Sequence, residues 1–343
     1  MRAVPDPYDV DELLGGIRNG SRPHIARAIT LVESKLPAHR ERTKLLLKEL
    51  GRAGNTDTVR LGISGVPGAG KSTFTDALGC RLVDRGHKVG VLAVDPSSTK
   101  TGGSILGDRT RMGDLASRDN AYIRPSPSGN HLGGVARATR ESMLILEGAG
   151  FDVIIVETVG VGQSEVAVAG MVDTFLLLAL ARAGDQLQGI KRGILEMVDV
   201  IGINKADGDG EGDARVAARE MRIAMKLISS SNDDRIPEVM PCSAYTGMGL
   251  DDLWEAVLRH RGGLEESGGL AQRRAQQQVD WLWAMAEEEV RSSLYRSPSV
   301  EDGRAELERR IATGQLSALE GVQDLLGRWR HDVAGGQVGH LDA

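Results

Sequence analysis

Aromatic residues are scarce, at 3% of 343 positions, so a core of this size has to be built from Leu, Ile, Val and Ala, which suits layered α/β packing. Cysteine is scarcer still. Cys80 and Cys242 are far apart and form no C-x-x-C pair, which argues against a disulfide framework or a thiolate zinc site and fits a reduced, cytoplasmic setting. Long apolar runs are missing: the greasiest stretch, 171–181, contains Asp173 and falls well short of the ~20 residues a membrane span needs. The first twenty residues carry Asp6, Asp9, Asp11 and Glu12 and no unbroken apolar segment, so no secretory leader is expected. A net charge of -6 gives no field to draw in a polyanion, and neither nucleic acid nor a membrane surface is an expected partner. The 7 histidines show no metal-ligand spacing, and no internal repeat is visible. His131, in a glycine-rich stretch, is the one histidine to watch.

What is present is a change of pattern along the chain. From Asp9 to about Gly51 the periodicity is helical, with Ser21 as a cap, Pro23 in the first turn, and Ile25, Ile29, Val32 and Leu36 on one stripe; a second helix is expected from about His39 to Leu50. Short β-rich runs then alternate with helical segments at 59–64, 89–94, 153–156, 174–180, 198–203 and 239–241. Such alternation predicts right-handed βαβ units, hence an α/β fold with a mostly parallel sheet flanked by helices. After His260 the strands stop, and Gly262, Gly263, Gly268 and Gly269 mark a boundary. A helix with Val279, Trp283, Ala286 and Val290 on one stripe follows, broken at Ser297, Pro298 and Ser299, and a further helical region carries Leu307, Ile311, Leu319, Val322, Leu326 and Trp329. The expected organisation is a helical region at 1–52, a nucleotide-binding domain at 53–262 and a helical arm at 263–343. The paired positions of Trp281 and Trp283 incline the reading of that arm toward a dimer contact.

The run Gly65, Val66, Pro67, Gly68, Ala69, Gly70, Lys71, Ser72 has the form G-x-x-x-x-G-K-S, lies between a predicted strand and a predicted helix, and is followed by Thr73. In such a P-loop the backbone amides and the helix N-terminus cradle phosphate, a lysine bridges the β- and γ-phosphates, and the serine hydroxyl ligates magnesium. Asn204, Lys205, Ala206 and Asp207 form N-K-x-D at the end of another predicted strand. The Asp207 carboxylate can accept from the guanine ring N–H and its amine, whereas adenine would oppose it with a lone pair, so GTP is expected to be chosen over ATP. Ser243 and Ala244 follow the last strand, where a backbone N–H can reach the guanine oxygen.

Glu157 ends a predicted strand three residues before Gly160, giving E-x-x-G where many GTPases carry D-x-x-G. A carboxylate there can hold magnesium through a water, and the Gly160 N–H can bond the γ-phosphate, so the segment beyond it reads as a switch that relaxes on hydrolysis. Asp95 ends another strand, and Asp108 lies in a Gly-rich run; with Ser72 and Glu157 they make the expected metal set, and with Lys71 the three acids make the catalytic set. Gln163 sits three positions beyond Gly160, too far on for the usual water-orienting glutamine, so intrinsic turnover should be slow.

Taken together, GVPGAGKST, VDPSSTKTGGSILGDRTRM, ETVGVGQSE, GDQLQGIKRG and NKAD resemble the MeaB/ArgK family of P-loop G proteins over about residues 10 to 330. The resemblance implies a homodimer with a helical N-terminal region, a central G domain that uses GTP and Mg2+, and a C-terminal dimerisation arm. It implies a chaperone of a B12-dependent acyl-CoA mutase, chiefly methylmalonyl-CoA mutase, gating adenosylcobalamin loading and protecting that enzyme. It also implies that residues 184–191 are an additional switch loop touching the mutase. Three other readings compete. One is an ATPase or kinase coupled to lysine, arginine and ornithine transport, which Asp207 opposes. Another is a nickel-insertion GTPase, which the lack of His-rich or paired-Cys segments opposes. The third is a non-catalytic GTP-binding scaffold, which measured hydrolysis would exclude.

Overall fold

In the computed structural model, residues 6–34, 36–52, 57–95, 112–127, 132–158, 164–181, 192–228 and 236–335 are described. Three helices come first, α1 (Val10–Arg18), α2 (Arg22–Glu33) and α3 (Pro37–Arg52). Asp9 caps α1 by accepting from the Glu12 N–H at 2.9 Å. Ser21 stands at the N-cap of α2 but spends its hydroxyl on His24 Nδ1 at 2.6 Å rather than on the helix backbone. The stripe along α2 ends before Leu36, which is outside the helix and 59% exposed. The reason is Pro37, which disfavours helical geometry at the residue before it and starts α3 instead.

Seven strands follow, β1 (Val59–Gly65), β2 (Val89–Asp95), β3 (Ala121–Pro127), β4 (Val153–Thr158), β5 (Thr174–Leu180), β6 (Val200–Asn204) and β7 (Glu238–Pro241). They form one sheet in the order β3-β2-β4-β1-β5-β6-β7, with every pair parallel. Six of these were expected from the sequence. The seventh, β3, carries Pro125 and Pro127 and sits at the sheet's edge, the one place where a strand tolerates the loss of N–H donors.

Helices α4 (Lys71–Asp84), α5 (Gly113–Ala116), α6 (Leu132–Gly148), α7 (Ser164–Ala169), α8 (Arg192–Leu195), α9 (Glu211–Ile228) and α10 (Leu250–Glu266) connect and cover the strands. Two apolar clusters result, one on each side. The first joins Leu13, Ile17, Ile29 and Leu46 of the N-terminal helices to Leu146 of α6 and Phe175 and Ile201 of the sheet. The second joins Phe74, Leu78 and Leu82 of α4 to Ile63, Val91 and Trp254. A strand buried on both faces reads as a continuous apolar run, which is why β4 and β5 were visible in the sequence. The N-terminal helices pack closely on α6: a Cβ at Gly148 would lie 2.6 Å from Leu50 Cδ2.

The chain divides into two compact units, Met1–Gln277 and Gln278–Ala343. Gly262 and Gly263 lie inside α10, and Gly268, whose φ of 71° favours glycine, separates that helix from the next within the first unit. Helix α11 (Gly269–Tyr295) begins in the first unit and is anchored there. Arg274 pairs with the fully buried Asp173 at 2.7 Å, Arg273 pairs with Asp199 at 3.2 Å, and Gln277 Nε2 donates to the Val172 carbonyl at 2.8 Å. Asp173, the acid that interrupts the apolar run 171–181, therefore has a definite partner.

In the second unit the remainder of α11 leads to α12 (Pro298–Ala312) and α13 (Ala318–Ala334). The buried Asp332 accepts from the Ser299 N–H at 2.9 Å and from the Ser299 hydroxyl at 2.6 Å, closing the end of α13 on the start of α12. Val279, Leu282, Trp283 and Val290 of α11 remain exposed, Trp283 by 64%. Among the described residues, no helix is long and apolar enough to cross a membrane.

Candidate functional site

The sequence motifs converge on the carboxyl edge of the sheet, where open parallel α/β folds bind ligands. Strand β1 ends at Gly65, and α4 begins at Lys71 after Gly70, whose φ of 85° is a left-handed conformation that favours glycine. A side chain on Gly65 would put its Cβ 2.3 Å from the Leu178 carbonyl oxygen, and one on Gly70 would approach Asn204 Nδ2 to 2.8 Å. Both glycines are thus required by close approach as well as by turn geometry. Ala69 is buried and its N–H bonds the Val66 carbonyl at 3.1 Å, while Pro67, Gly68 and Thr73 are exposed around it.

Lys71 is almost fully buried and donates to the Gly65 carbonyl at 2.8 Å and the Val66 carbonyl at 3.3 Å, so its ammonium lies folded against the loop that precedes it. Burial pushes its pKa below the usual lysine value, while the nearby carboxylates of Glu157 and Glu165 pull the other way. Glu157, near the end of β4, faces the first turn of α4. Its Oε1 accepts from Ser72 Oγ at 2.7 Å and its Oε2 from Thr75 Oγ1 at 2.8 Å.

The second half of the site comes from the ends of β6 and β7. Asn204 is buried; its Nδ2 donates to the Ala69 carbonyl at 2.7 Å, and its Oδ1 accepts from the Ala244 N–H at 3.1 Å. Lys205 is exposed with φ 62°, the single non-glycine residue with positive φ among the described residues. Asp207 accepts from the buried Ser243 hydroxyl at 2.6 Å, and Ser243 Oγ also accepts from the Thr246 N–H at 3.1 Å. One hydrogen-bonded chain therefore runs from the phosphate-type loop through Asn204 to Ala244, and the adjoining Ser243 is tied to Asp207.

The magnesium expectation can be tested on the donors described. Ser72 Oγ and Glu157 Oε1 are hard oxygens 2.7 Å apart, which suits Mg2+ rather than a softer metal. Asp95 ends β2 opposite Pro127, but its side chain lies outside the described residues, as do Asp108, Gly160, Gln163, His131 and 184–191. Among the described residues, no group of three or more His, Cys, Asp or Glu could hold a metal ion.

Two residues here escaped sequence reasoning. Glu165, at 2% exposure on α7, belongs to the ETVGVGQSE string, and its charge is felt by Lys71. Thr75, fully buried, lies one helical turn after Ser72, and only the fold reveals that its hydroxyl meets the same carboxylate.

Residues 25–299 match the family model described as Methylmalonyl Co-A mutase-associated GTPase MeaB. The chain belongs to this MeaB family. Its curated relatives include "Probable GTPase Rv1496" of Mycobacterium tuberculosis, 54% identical over 95% of this chain and 97% of that protein. "GTPase ArgK" of Escherichia coli is 46% identical over 92% and 95%, and the mouse "Methylmalonic aciduria type A homolog, mitochondrial" is 45% identical over 90% and 76%. Among solved structures, one described as LAO/AO transport system kinase superposes with a TM-score of 0.73 at 38% identity, covering 95% of this chain and 99% of that one. As a MeaB-family member the chain is a GTPase that binds guanine nucleotide, from a family associated with methylmalonyl-CoA mutase.

Proposed function

We propose that this GTPase uses Mg-GTP as a switch that attends a B12-dependent acyl-CoA mutase, most simply methylmalonyl-CoA mutase, gating adenosylcobalamin loading and protecting the loaded enzyme. The observation that carries the nucleotide assignment is the double role of Asn204, which braces the loop at Ala69 with one side-chain atom and the Ala244 segment with the other. In this reading the amides of 65–73 hold the phosphates and Lys71 leaves its carbonyl partners for the β- and γ-phosphates. Asp207, with Ser243 beside it, reads the ring N–H and amine of guanine, and the Ala244 N–H reads its oxygen. Ser72 and Glu157, together with Asp95 and Asp108, would hold the cation. A magnesium ion held by these residues would supply the positive charge that neutralises the phosphates. Loss of the γ-phosphate frees Gly160, and the segment between β4 and α7 changes its contacts, with 184–191 as the further loop offered to the mutase.

The experiment has two arms. Competition of GTP, GDP and ATP against a fluorescent guanine nucleotide tests the pocket, with GTP expected to win over ATP by about a thousandfold or more, because the wrong purine leaves Asp207 unpaired. Pull-down from the native cytosol in GDP and in a non-hydrolysable GTP analogue tests the partner. A cobalamin-dependent mutase that co-purifies in neither state removes the chaperone assignment and leaves the GTPase intact.

A second reading, a transport-coupled ATPase or kinase, draws on the description attached to the 38% identical solved structure. It requires ATP to bind as well as GTP, so the same competition decides between them. We further propose a cytoplasmic homodimer, with the exposed stripe of Val279, Leu282, Trp283 and Val290 as its contact; an apolar stripe of this length on one helix suits a second copy.

A further inference from the structure

We infer that Thr75 is a positioning residue that holds the Glu157 carboxylate in register for the magnesium of the bound nucleotide, so that a glutamate can serve in E-x-x-G. This rests on the Mg-GTP reading above. Glutamate carries one methylene more than aspartate and so one more rotatable bond to be ordered, at a cost in side-chain entropy. The backbone at Glu157 is already fixed, because β4 lies between β1 and β2, opposite Ile63 and Ala93. The side chain is fixed by a fork. Ser72 and Thr75 are three apart near the start of α4, a spacing that puts both on one face of the helix. Each hydroxyl takes a different carboxylate oxygen, Ser72 at 2.7 Å and Thr75 at 2.8 Å.

The two prongs are not equivalent. The Ser72 hydroxyl is the one the nucleotide's cation requires, so it cannot also be the permanent anchor of the acid. Thr75 is free of that demand: it is fully buried, and β-branching restricts its χ1. It can therefore keep hold of Oε2 while Oε1 is directed at the position Ser72 faces. A threonine that only filled space would have no reason to affect the cation, and that difference makes the inference testable.

The probe is release of a fluorescent GDP analogue from the full-length protein, measured in EDTA and across a magnesium titration. Thr75→Val keeps the shape and removes the donor. It should need about tenfold more magnesium than wild type to slow release by half, as expected for losing a hydrogen bond to a charged group, with unchanged affinity in EDTA. Thr75→Ser should restore the wild-type titration. If Thr75→Val folds poorly, Thr75→Ala carries the same expectation. A valine variant that titrates like wild type overturns the inference, and so does one that loses nucleotide equally in EDTA and in magnesium, because Thr75 would then support only the helix. Wild-type protein that binds no guanine nucleotide, or binds it without regard to magnesium, would instead overturn the Mg-GTP reading itself.

Discussion

Asn204 and Ala69 are 135 positions apart in the chain, yet the Asn204 side-chain amide donates to the Ala69 carbonyl at 2.7 Å and approaches the site a side chain on Gly70 would occupy. The bond ties the loop that follows β6 to the loop between β1 and α4. Asn204→Ala breaks this contact and the one to Ala244 together. It should weaken GTP binding by about 2 kcal/mol or more, roughly thirtyfold in Kd, with GDP affected alike because neither contact involves the third phosphate. Calorimetric titration with both nucleotides checks this; unchanged affinities would separate the two loops.

Lys71 is held by two backbone carbonyls in a buried position, and burial already works against its charge. A triphosphate offers it a far better set of acceptors. Lys71→Ala should lower the rate of phosphate release by about 10²–10³-fold, the loss typical of removing a group aimed at developing charge. Single-turnover hydrolysis with saturating GTP is the measurement, and near-normal turnover would take the lysine out of the chemistry.

Much of this site was legible because its parts are local. A P-loop, N-K-x-D and a strand-ending glutamate each declare themselves within a few residues, and parallel strands bring all three to one edge whatever the intervening sequence. What could not be read is non-local. Thr75 looks like any helical threonine until β4 is placed beside α4, and Arg274 like any surface arginine until α11 is laid against Asp173. Strand β3 was hidden by Pro125 and Pro127, which argue against a central strand and only edge placement permits.

Arg274 is the clearest of these long-range anchors. It gives both a side-chain pair to Asp173 and a donor to the Thr58 carbonyl at 2.8 Å, at the sheet end opposite Gly65 and Asn204. Arg274→Ala leaves a fully buried carboxylate without its guanidinium, which should cost about 3–5 kcal/mol of stability. Denaturant unfolding of the variant measures the loss, and a change under about 1 kcal/mol would mean that the Arg60 N–H, also bonded to Asp173 at 3.1 Å, compensates.

The exposed stripe on α11 makes a prediction about assembly. Trp283→Lys puts a charge where the proposed self-contact is driest, so light scattering should report monomer where wild type gives dimer. Guanine-nucleotide affinity should be preserved, because Trp283 belongs to the second compact unit and the residues of the proposed nucleotide site to the first. A dimer that survives the lysine locates the contact elsewhere.

Glu141 on α6 supplies a pH test. Its side chain is buried; Arg137 approaches one oxygen at 3.3 Å, and among the described residues the other has no hydrogen-bond partner. Burial pushes its pKa up to about 7, with Arg137 and Arg40 opposing the rise. A carboxyl whose folded value exceeds its unfolded value near 4.5 binds its proton more tightly when folded. Its contribution to stability is then greatest at low pH and is lost as pH rises from about 4.5 through about 7. The full swing is at most about 3.5 kcal/mol. Glu141→Gln removes the ionisation while keeping the shape. The variant should therefore be more stable than wild type at pH 8 and converge with it near pH 5, in urea unfolding read at both values. A difference that stays constant between those two pH values would show that Glu141 does not titrate in the window.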